Sequence, residues 1–411
     1  MLIATALAVA PIEGEKVSIL GQSPRWNDLE LFQRSLSREE FESKIRKIYS
    51  PDGSFFQYLD MTPEKAVLYR DIEKSTPLWT FYFAEKKNTP AFLPFHFSIK
   101  TLRELREASW DAPLKGLTIC LDPGHIGGDW ADDEERNFRI KKDPPIVEGN
   151  LNMITCRYLA QLLKKNGARV VWTKQDYQPV TSLRPADLEI EGIHFFQDVY
   201  QKPINYKRVS FLRDKIRLCR ELLFYRAAEI TARAEKINNE LKPDMTICVH
   251  FNAARWRGRR PRLLSNVNRL ILFVHGSYHR DELKYDNHKF ALLKKMFEQT
   301  SHEEISAAEA IARQMHAVWG WQAQGYDSYF ANRVSDNPYV YSRNLLANRL
   351  YNGPVVFVEG PFMNDKEIYP RLQAGDYDGE KMIGGKNQRS IFREYAEIIA
   401  NGIIHHYMGI P

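Results

Sequence analysis

The chain has 411 residues, 44% of them hydrophobic, enough for one large core or for one core with a small accessory domain. Lys and Arg number 58 against 52 Asp and Glu, a net +6 that suits an anionic polymer surface but lacks the clustered basic face of a nucleic-acid binder. Beyond the apolar N-terminus no run of about 18 or more apolar residues is present, so no transmembrane span is expected, and the four cysteines (Cys120, Cys156, Cys219, Cys248) share no paired spacing and read as buried thiols.

The first ten residues, Met1 to Ala10, read as the apolar part of a secretory signal ending in Ala-Val-Ala, without the basic residues that normally precede one. A buried first element is the alternative, and residues 1–23 are set apart as a truncated signal or N-terminal extension. Residues 24–112 are aromatic and charged. Ser37-Arg-Glu-Glu40 forms a capping box ahead of a helix through Phe41, Ile45 and Ile48, Pro51-Asp-Gly53 is a turn, and Leu78 to Phe83 is a strand. Together they predict a small α+β accessory domain.

From residue 113 to 411 strands and helices alternate. Leu117 to Leu121 is a strand. A helix over about 150–166 presents Leu151, Ile154, Leu159, Leu162 and Leu163 on one face and stops at Asn166-Gly167, ahead of a strand over 168–173. That is a βαβ unit. A long helical pattern over 209–241 leads to the strand Met245 to Val249; Leu270 to Val274 and Val355 to Val358 are further apolar runs, and a last helix covers about 388–405. The pattern predicts an α/β fold, a mixed, mostly parallel sheet flanked by helices and preceded by the small α+β domain.

In such a sheet ligands gather past the carboxyl ends of the strands. His125 follows the first strand across Asp122-Pro-Gly124, His250 ends another, Glu148 opens the helix of the βαβ unit, and Glu359 ends the run over 355–358. Two histidines and a glutamate make a catalytic zinc ligand set, because three protein ligands leave a fourth position for water. Singly, each has a plainer reading. A strand-end histidine can be a satisfied polar residue, Glu148 a helix N-terminal charge, and Glu359 a partner of Arg343 or Arg349.

The strings Leu121-Asp-Pro-Gly-His-Ile-Gly-Gly128, Val147-Glu-Gly-Asn150, Val249-His-Phe-Asn-Ala253 and Pro354 to Asp365 resemble, in order, the four motifs of the zinc-dependent N-acetylmuramoyl-L-alanine amidases of bacterial cell walls. The resemblance spans about 115–407 and extends to Thr173-Lys174 and to the helix Arg233 to Asn238. It implies Zn2+ as cofactor, with His125, Glu148 and His250 as metal ligands and Glu359 as the catalytic carboxylate. It also implies peptidoglycan as substrate, an extracytoplasmic location in periplasm or cell wall, and neither nucleic acid nor a transmembrane span. Asp122 is expected to hold the histidine loop. A zinc peptidase and a catalytically idle wall-binding regulator are the alternatives.

Three departures stand out. Ile126 replaces the glycine usual after the first histidine, and Cys248 a small residue before His250. The interval between Glu148 and His250 is long, with an insertion near 177–225. A second insertion, near 279–304, falls where some relatives carry a helix that blocks the zinc until a protein activator removes it, so His275, His279, His288 and Glu303 are candidate inhibitory ligands. The basic run Arg255 to Arg262 is either a solvated loop or a contact for stem-peptide carboxylates.

Overall fold

A computed structural model describes residues 18–19, 21, 23–85, 111–200, 212–256, 263–326 and 330–410. The signal-like first ten residues and most of the basic run, 257–262, lie outside the described residues.

Near the N-terminus, Ser37 caps helix α1 (Arg38–Lys44) with its hydroxyl on the Glu40 N–H, while the Glu40 side chain returns to the Ser37 N–H at 2.9 Å, the predicted capping box. Three strands follow, β1 (Leu59–Met61), β2 (Lys65–Tyr69) and β3 (Pro77–Tyr82), paired antiparallel in that order. The apolar faces of this unit, including Phe41, Phe55, Trp79 and Phe81, do not form a closed core. They share one with Tyr278, Leu283, Leu292, Leu293, Met296 and Phe297 of the chain's second half.

The second part opens with β4 (Thr118–Pro123), the short pair β5 (Asn137–Phe138) and β6 (Ile146–Val147), helix α2 (Glu148–Lys165) and β7 (Arg169–Trp172). Helix α2 ends where predicted. Gly167 adopts φ +95°, and the Ala168 N–H folds back onto the Leu163 carbonyl. Helices α3 (Glu189–Tyr200), α4 (Arg213–Leu222) and α5 (Glu229–Glu235) follow, with π-helical turns over Leu223–Ala228 and Lys236–Leu241 around α5. Then come β8 (Met245–Asn252), β9 (Ile271–His275), α6 (Asp286–Phe297), α7 (Thr300–Trp319), β10 (Ala331–Arg333), β11 (Val340–Arg343), α8 (Leu346–Leu350), β12 (Val355–Phe362), α9 (Ile368–Gln373), the hairpin β13 (Glu380–Ile383) and β14 (Lys386–Arg389), and α10 (Ile391–Met408).

Seven strands make the central sheet in the order β10-β11-β9-β12-β8-β4-β7. Strands β7, β4, β8 and β12 run parallel, β9 runs against β12, β11 is parallel to β9, and β10 is antiparallel to β11, the predicted mixed, mostly parallel sheet. Alternation along the buried strands sorts their side chains onto two faces. Ile119, Leu121, Ile247, Val249, Val356 and Val358 pack with α2, α7 and α10; Cys120, Cys248, Phe273, Val355 and Phe357 pack on the other face with Ala234, Ile237 and Tyr351. All four cysteines are free and buried. No helix among the described residues is long and apolar enough to cross a membrane.

The insertion over 177–225 folds as a helical pair with its own apolar cluster. Leu188, Phe195, Phe196, Ile216, Leu222, Leu223 and Phe224 close around Ile126. This is the physical reason for isoleucine at that place: its side chain is buried in the insertion's core rather than facing the site.

Candidate active site

Parallel pairing aligns the carboxyl ends of β4, β8 and β12. Asp122 lies opposite Cys248, and Glu359 opposite His250 on adjacent strands. Beyond β4 the chain bends through Gly124, whose lack of a side chain is required: a Cβ there would lie 2.3 Å from the His250 ring. His125 follows with φ +63°, a left-handed conformation that a non-glycine residue adopts only where its surroundings hold it.

The surroundings are identifiable. Arg233 of α5, 1% exposed, donates to the carbonyls of Pro123 and His125 and to Asp122 Oδ1, each at 2.9 Å, and to Glu229 Oε1 at 2.8 Å. Asp122 also accepts from the hydroxyls of Thr173 (2.6 Å) and Tyr351 (2.9 Å). Lys174 Nζ donates to the Ile126 carbonyl at 2.7 Å and Asn152 Nδ2 to that of Gly124 at 2.9 Å. Burial alone would raise the Asp122 carboxyl; the Arg233 charge and the two hydroxyls outweigh it and hold the pKa below the ordinary range. Asp122 thus takes the loop-holding position expected of it.

The side chains of His125, Glu148 and His250 converge. One ligand atom from each lies within 4.8 Å of the other two, the geometry of a group that could hold a metal ion. His125 Nε2 is 3.2 Å and His250 Nδ1 3.3 Å from Glu148 Oε1, and the two rings meet edge to face with centroids 5.1 Å apart. Glu148 is the first residue of α2, its N–H bonded to the Arg136 carbonyl at 3.1 Å, so the helix start fixes its position. Burial works against an ionised Glu148, yet the two histidines drive its pKa far down; burial likewise works against a charged His125, yet Glu148 and Glu134 hold its imidazole up at about 9. Two imidazole nitrogens and a carboxylate oxygen drawn together in this way form a donor set suited to zinc.

Glu134 lies in an acidic run that carries no motif, and sequence reasoning missed it. It is 4% exposed, accepts the Ile126 N–H at 3.0 Å and faces His125 Nδ1 at 3.7 Å, so it biases which ring nitrogen turns toward Glu148. Tyr395 of α10 was also missed; its hydroxyl donates to the carbonyls of His250 and Val358, both at 3.0 Å, and ties β8 to β12 beside the cluster. Glu359 stands next to His250, and burial pushes its carboxyl above the ordinary glutamate range, with the Glu148 charge adding to the rise and His250 opposing it. It forms no ion pair with Arg349, whose guanidinium instead bonds Asn344 and the Ile19 carbonyl.

The candidate inhibitory ligands do not reach the cluster, which corrects that expectation. Because β9 runs against β12, His275 at its end lies beyond Phe273, the partner of Phe357, and away from Glu359. There it bonds Tyr278, while His288 packs against Tyr278 and Tyr285, Glu303 pairs with His406 at 2.6 Å, and His279 is near Asp281. Helix α6 anchors at the same end, through Lys295 on the Gly353 carbonyl.

The parallel strand ends bring together two imidazoles and a carboxylate with the half-buried Glu359 beside them, an arrangement that an α/β hydrolase can use. The sequence profile described as N-acetylmuramoyl-L-alanine amidase matches residues 119–384. The chain belongs to the N-acetylmuramoyl-L-alanine amidase family, and amide hydrolysis in cell-wall peptidoglycan is its activity. Among curated proteins no sequence match is found. Similar solved structures include the CwlD amidase of Clostridioides difficile in complex with the GerS lipoprotein, at 16% identity over 72% of this chain and 100% of that one, with a TM-score of 0.37. The amidase AmiC2 of Nostoc punctiforme aligns at 15% identity over 71% of this chain and 96% of that one (TM-score 0.34), and Ami1 of Mycobacterium abscessus at 14% over 71% and 99% (TM-score 0.37).

Proposed function

We propose that the chain cleaves the amide between the lactyl group of N-acetylmuramic acid and L-alanine, with zinc held by His125, Glu148 and His250 and the proton moved by Glu359. The observation that carries this reading is the three ligand atoms gathered within 4.8 Å of one another, with Glu359 in register beside His250. When bound, zinc supplies Lewis acidity, lowering the pKa of a water toward about 7 and polarising a carbonyl. Glu359 accepts a proton as water attacks the lactyl carbonyl and delivers one to the alanine nitrogen, which otherwise leaves poorly. A C–O bond forms and the C–N bond breaks, giving a muramyl carboxylate and a peptide with a free amino terminus. The raised pKa of Glu359 suits a group that must both take and return a proton. His125 and His250 would hold the metal through ring nitrogens, while Glu134 and Tyr395 hold the loop and strand that carry them. Peptidoglycan lies outside the cytoplasmic membrane, so the working compartment under this reading is the periplasm or cell wall, and residues 24–112 serve as an accessory unit.

Mass spectrometry of peptidoglycan digested by the zinc-loaded protein tests this, with Glu359→Ala beside it. Free stem peptides beginning at L-alanine are expected from the parent protein and not from the variant. Cleavage inside the stem would move the assignment to a peptidase, and intact muropeptides would sink the catalytic reading.

A further inference from the structure

A cleft of about 220 Å³ lies where the N-terminal unit meets helices α5, α6 and α8, and the proposed chemistry makes no use of it. Asn352 lines it just before β12 begins at Val355, whereas Glu359 stands toward that strand's other end, so the cleft and the His125, Glu148 and His250 cluster lie toward opposite ends of the sheet. Its walls are held by specific contacts. Arg349 Nη2 donates to the Ile19 carbonyl at 2.9 Å, and Gly21 packs so close that a Cβ there would lie 2.7 Å from the Leu350 side chain. Asn238, in the π-helical turn after α5, donates to the Leu350 carbonyl at 2.9 Å and accepts the Asn352 N–H at 2.8 Å.

The lining is that of a sugar site with one contact for an acid. Asn238, Asn239, Asn287 and Asn352 supply carboxamides, each with two donors and two acceptor lone pairs. Phe290 adds an aromatic ring, braced edge to face by Trp26 at 5.5 Å. Two cations on the lining already have carboxylate partners: Arg25 is 3.0 Å from Asp28, and Lys294, which donates to Asn352 Oδ1 at 2.6 Å, is 3.6 Å from Glu298. Arg349 differs. It is 8% exposed, its Nη1 and Nη2 bond neutral acceptors, Asn344 Oδ1 and the Ile19 carbonyl, and among the described residues its Nε has no acceptor. A buried guanidinium donor left without an acceptor is unfavourable, and a carboxylate is the acceptor that suits it best.

We propose that this cleft binds a single N-acetylated sugar unit bearing a free carboxylate, with the acid at Arg349, the hydroxyls and acetamido group on the asparagines and the ring against Phe290. The volume favours one unit, because it falls below the roughly 300 Å³ at which sites for larger ligands begin. The choice of sugar rests on the amidase reading: the lactyl group of N-acetylmuramic acid is an amide before cleavage and a free acid after it. The cleft therefore distinguishes glycan already stripped of its stem peptides from glycan that still carries them, and it holds the enzyme on the strand it has processed.

Calorimetry of the full zinc-loaded chain with N-acetylmuramic acid, with its lactyl carboxamide and with inorganic phosphate tests the site. The acid is expected to bind roughly ten- to a hundredfold more tightly than the carboxamide, and Glu148→Gln, which alters the catalytic cluster, should leave that binding unchanged. Asn239→Ala and the cleft-filling Ala291→Trp should each weaken it by about tenfold or more while cleavage of a soluble muropeptide is retained. Arg349→Gln should remove the preference for the acid; thermal melts verify that the variants fold, and the other two carry the test if Arg349→Gln does not. Equal affinity for acid and carboxamide, binding of neither, binding of phosphate alone, or binding that Glu148→Gln abolishes and the cleft variants keep would each overturn the site. The expected binding pattern without any cleavage of peptidoglycan would leave the cleft standing and sink the amidase reading instead.

Discussion

Replacing Arg233 by methionine removes one buried cation and four hydrogen bonds of 2.8–2.9 Å, and it leaves Asp122 and Glu229 as buried carboxylates that have lost their counter-charge. Breaking a buried ion pair by deleting one partner costs about 3–5 kcal/mol. The loss should stay inside that range, because Asp122 keeps the Thr173 and Tyr351 hydroxyls and Glu229 keeps the N–H groups of Val180 and Thr181. Domains of ordinary stability have about 5–15 kcal/mol in all, so about a fifth of it or more would go. Urea unfolding of Arg233→Met, Asp122→Asn and the double variant measures the effect and the coupling between the two sites. The Arg233 carbonyl contacts also hold His125 in its left-handed conformation, so metal titration of any folded fraction should show weakened binding. A loss below about 1 kcal/mol, or strictly additive single effects, would refute the view that this network holds the histidine loop.

Glu134→Gln keeps the shape but removes the charge facing His125 Nδ1, and zinc affinity measured by competition with a chelator should fall about ten- to a hundredfold. Gly124→Ala forces a methyl to within 2.3 Å of the His250 ring, so metal stoichiometry should drop while secondary structure, followed by circular dichroism, is retained. Lys174 is buried, and desolvation, with Arg233 adding to it, lowers its pKa from 10.5 to about 8. Between those values the unfolded chain binds more protons than the folded one, so this residue's contribution is fully present above pH 10.5 and is lost as the pH falls through about 8. The unfolding free energy of the parent protein relative to Lys174→Met should therefore rise from pH 8 to 10.5 by up to about 3 kcal/mol; a pH-independent difference would contradict the assignment.

The parts of the fold that sequence reasoning reached are those in which burial writes its own pattern. Strands β4, β8 and β12 are near-continuous apolar runs because both sheet faces are covered, and α2 shows its apolar stripe and its glycine stop. His125, Glu148, His250 and Glu359 stand out in the sequence because each follows or interrupts an apolar run; in the structure His250 and Glu359 lie within β8 and β12 and His125 just past β4. Strand direction leaves no comparable trace. The apolar run of β9 looks like that of β12, and only the sheet pairing reveals that His275 emerges at the opposite end. Glu134 was hidden for a different reason: in Asp132-Asp-Glu-Glu135 it has the composition of a solvated turn, and only its contact with the Ile126 N–H distinguishes it from its neighbours.

The packing of Ile126 changes what kind of object the 177–225 insertion is. An ornament on a surface loop can be trimmed or exchanged between relatives without disturbing the chemistry, because its boundary with the host is water. Here the boundary is a hydrocarbon interface one residue from His125, and Glu229, which receives the insertion's own N–H groups, also holds Arg233. Excising the insertion would strip the wall from behind a histidine and expose the side chain that replaced glycine. Insertion and loop are therefore a single packing unit: a chimera that takes one without the other should fold around a misplaced imidazole.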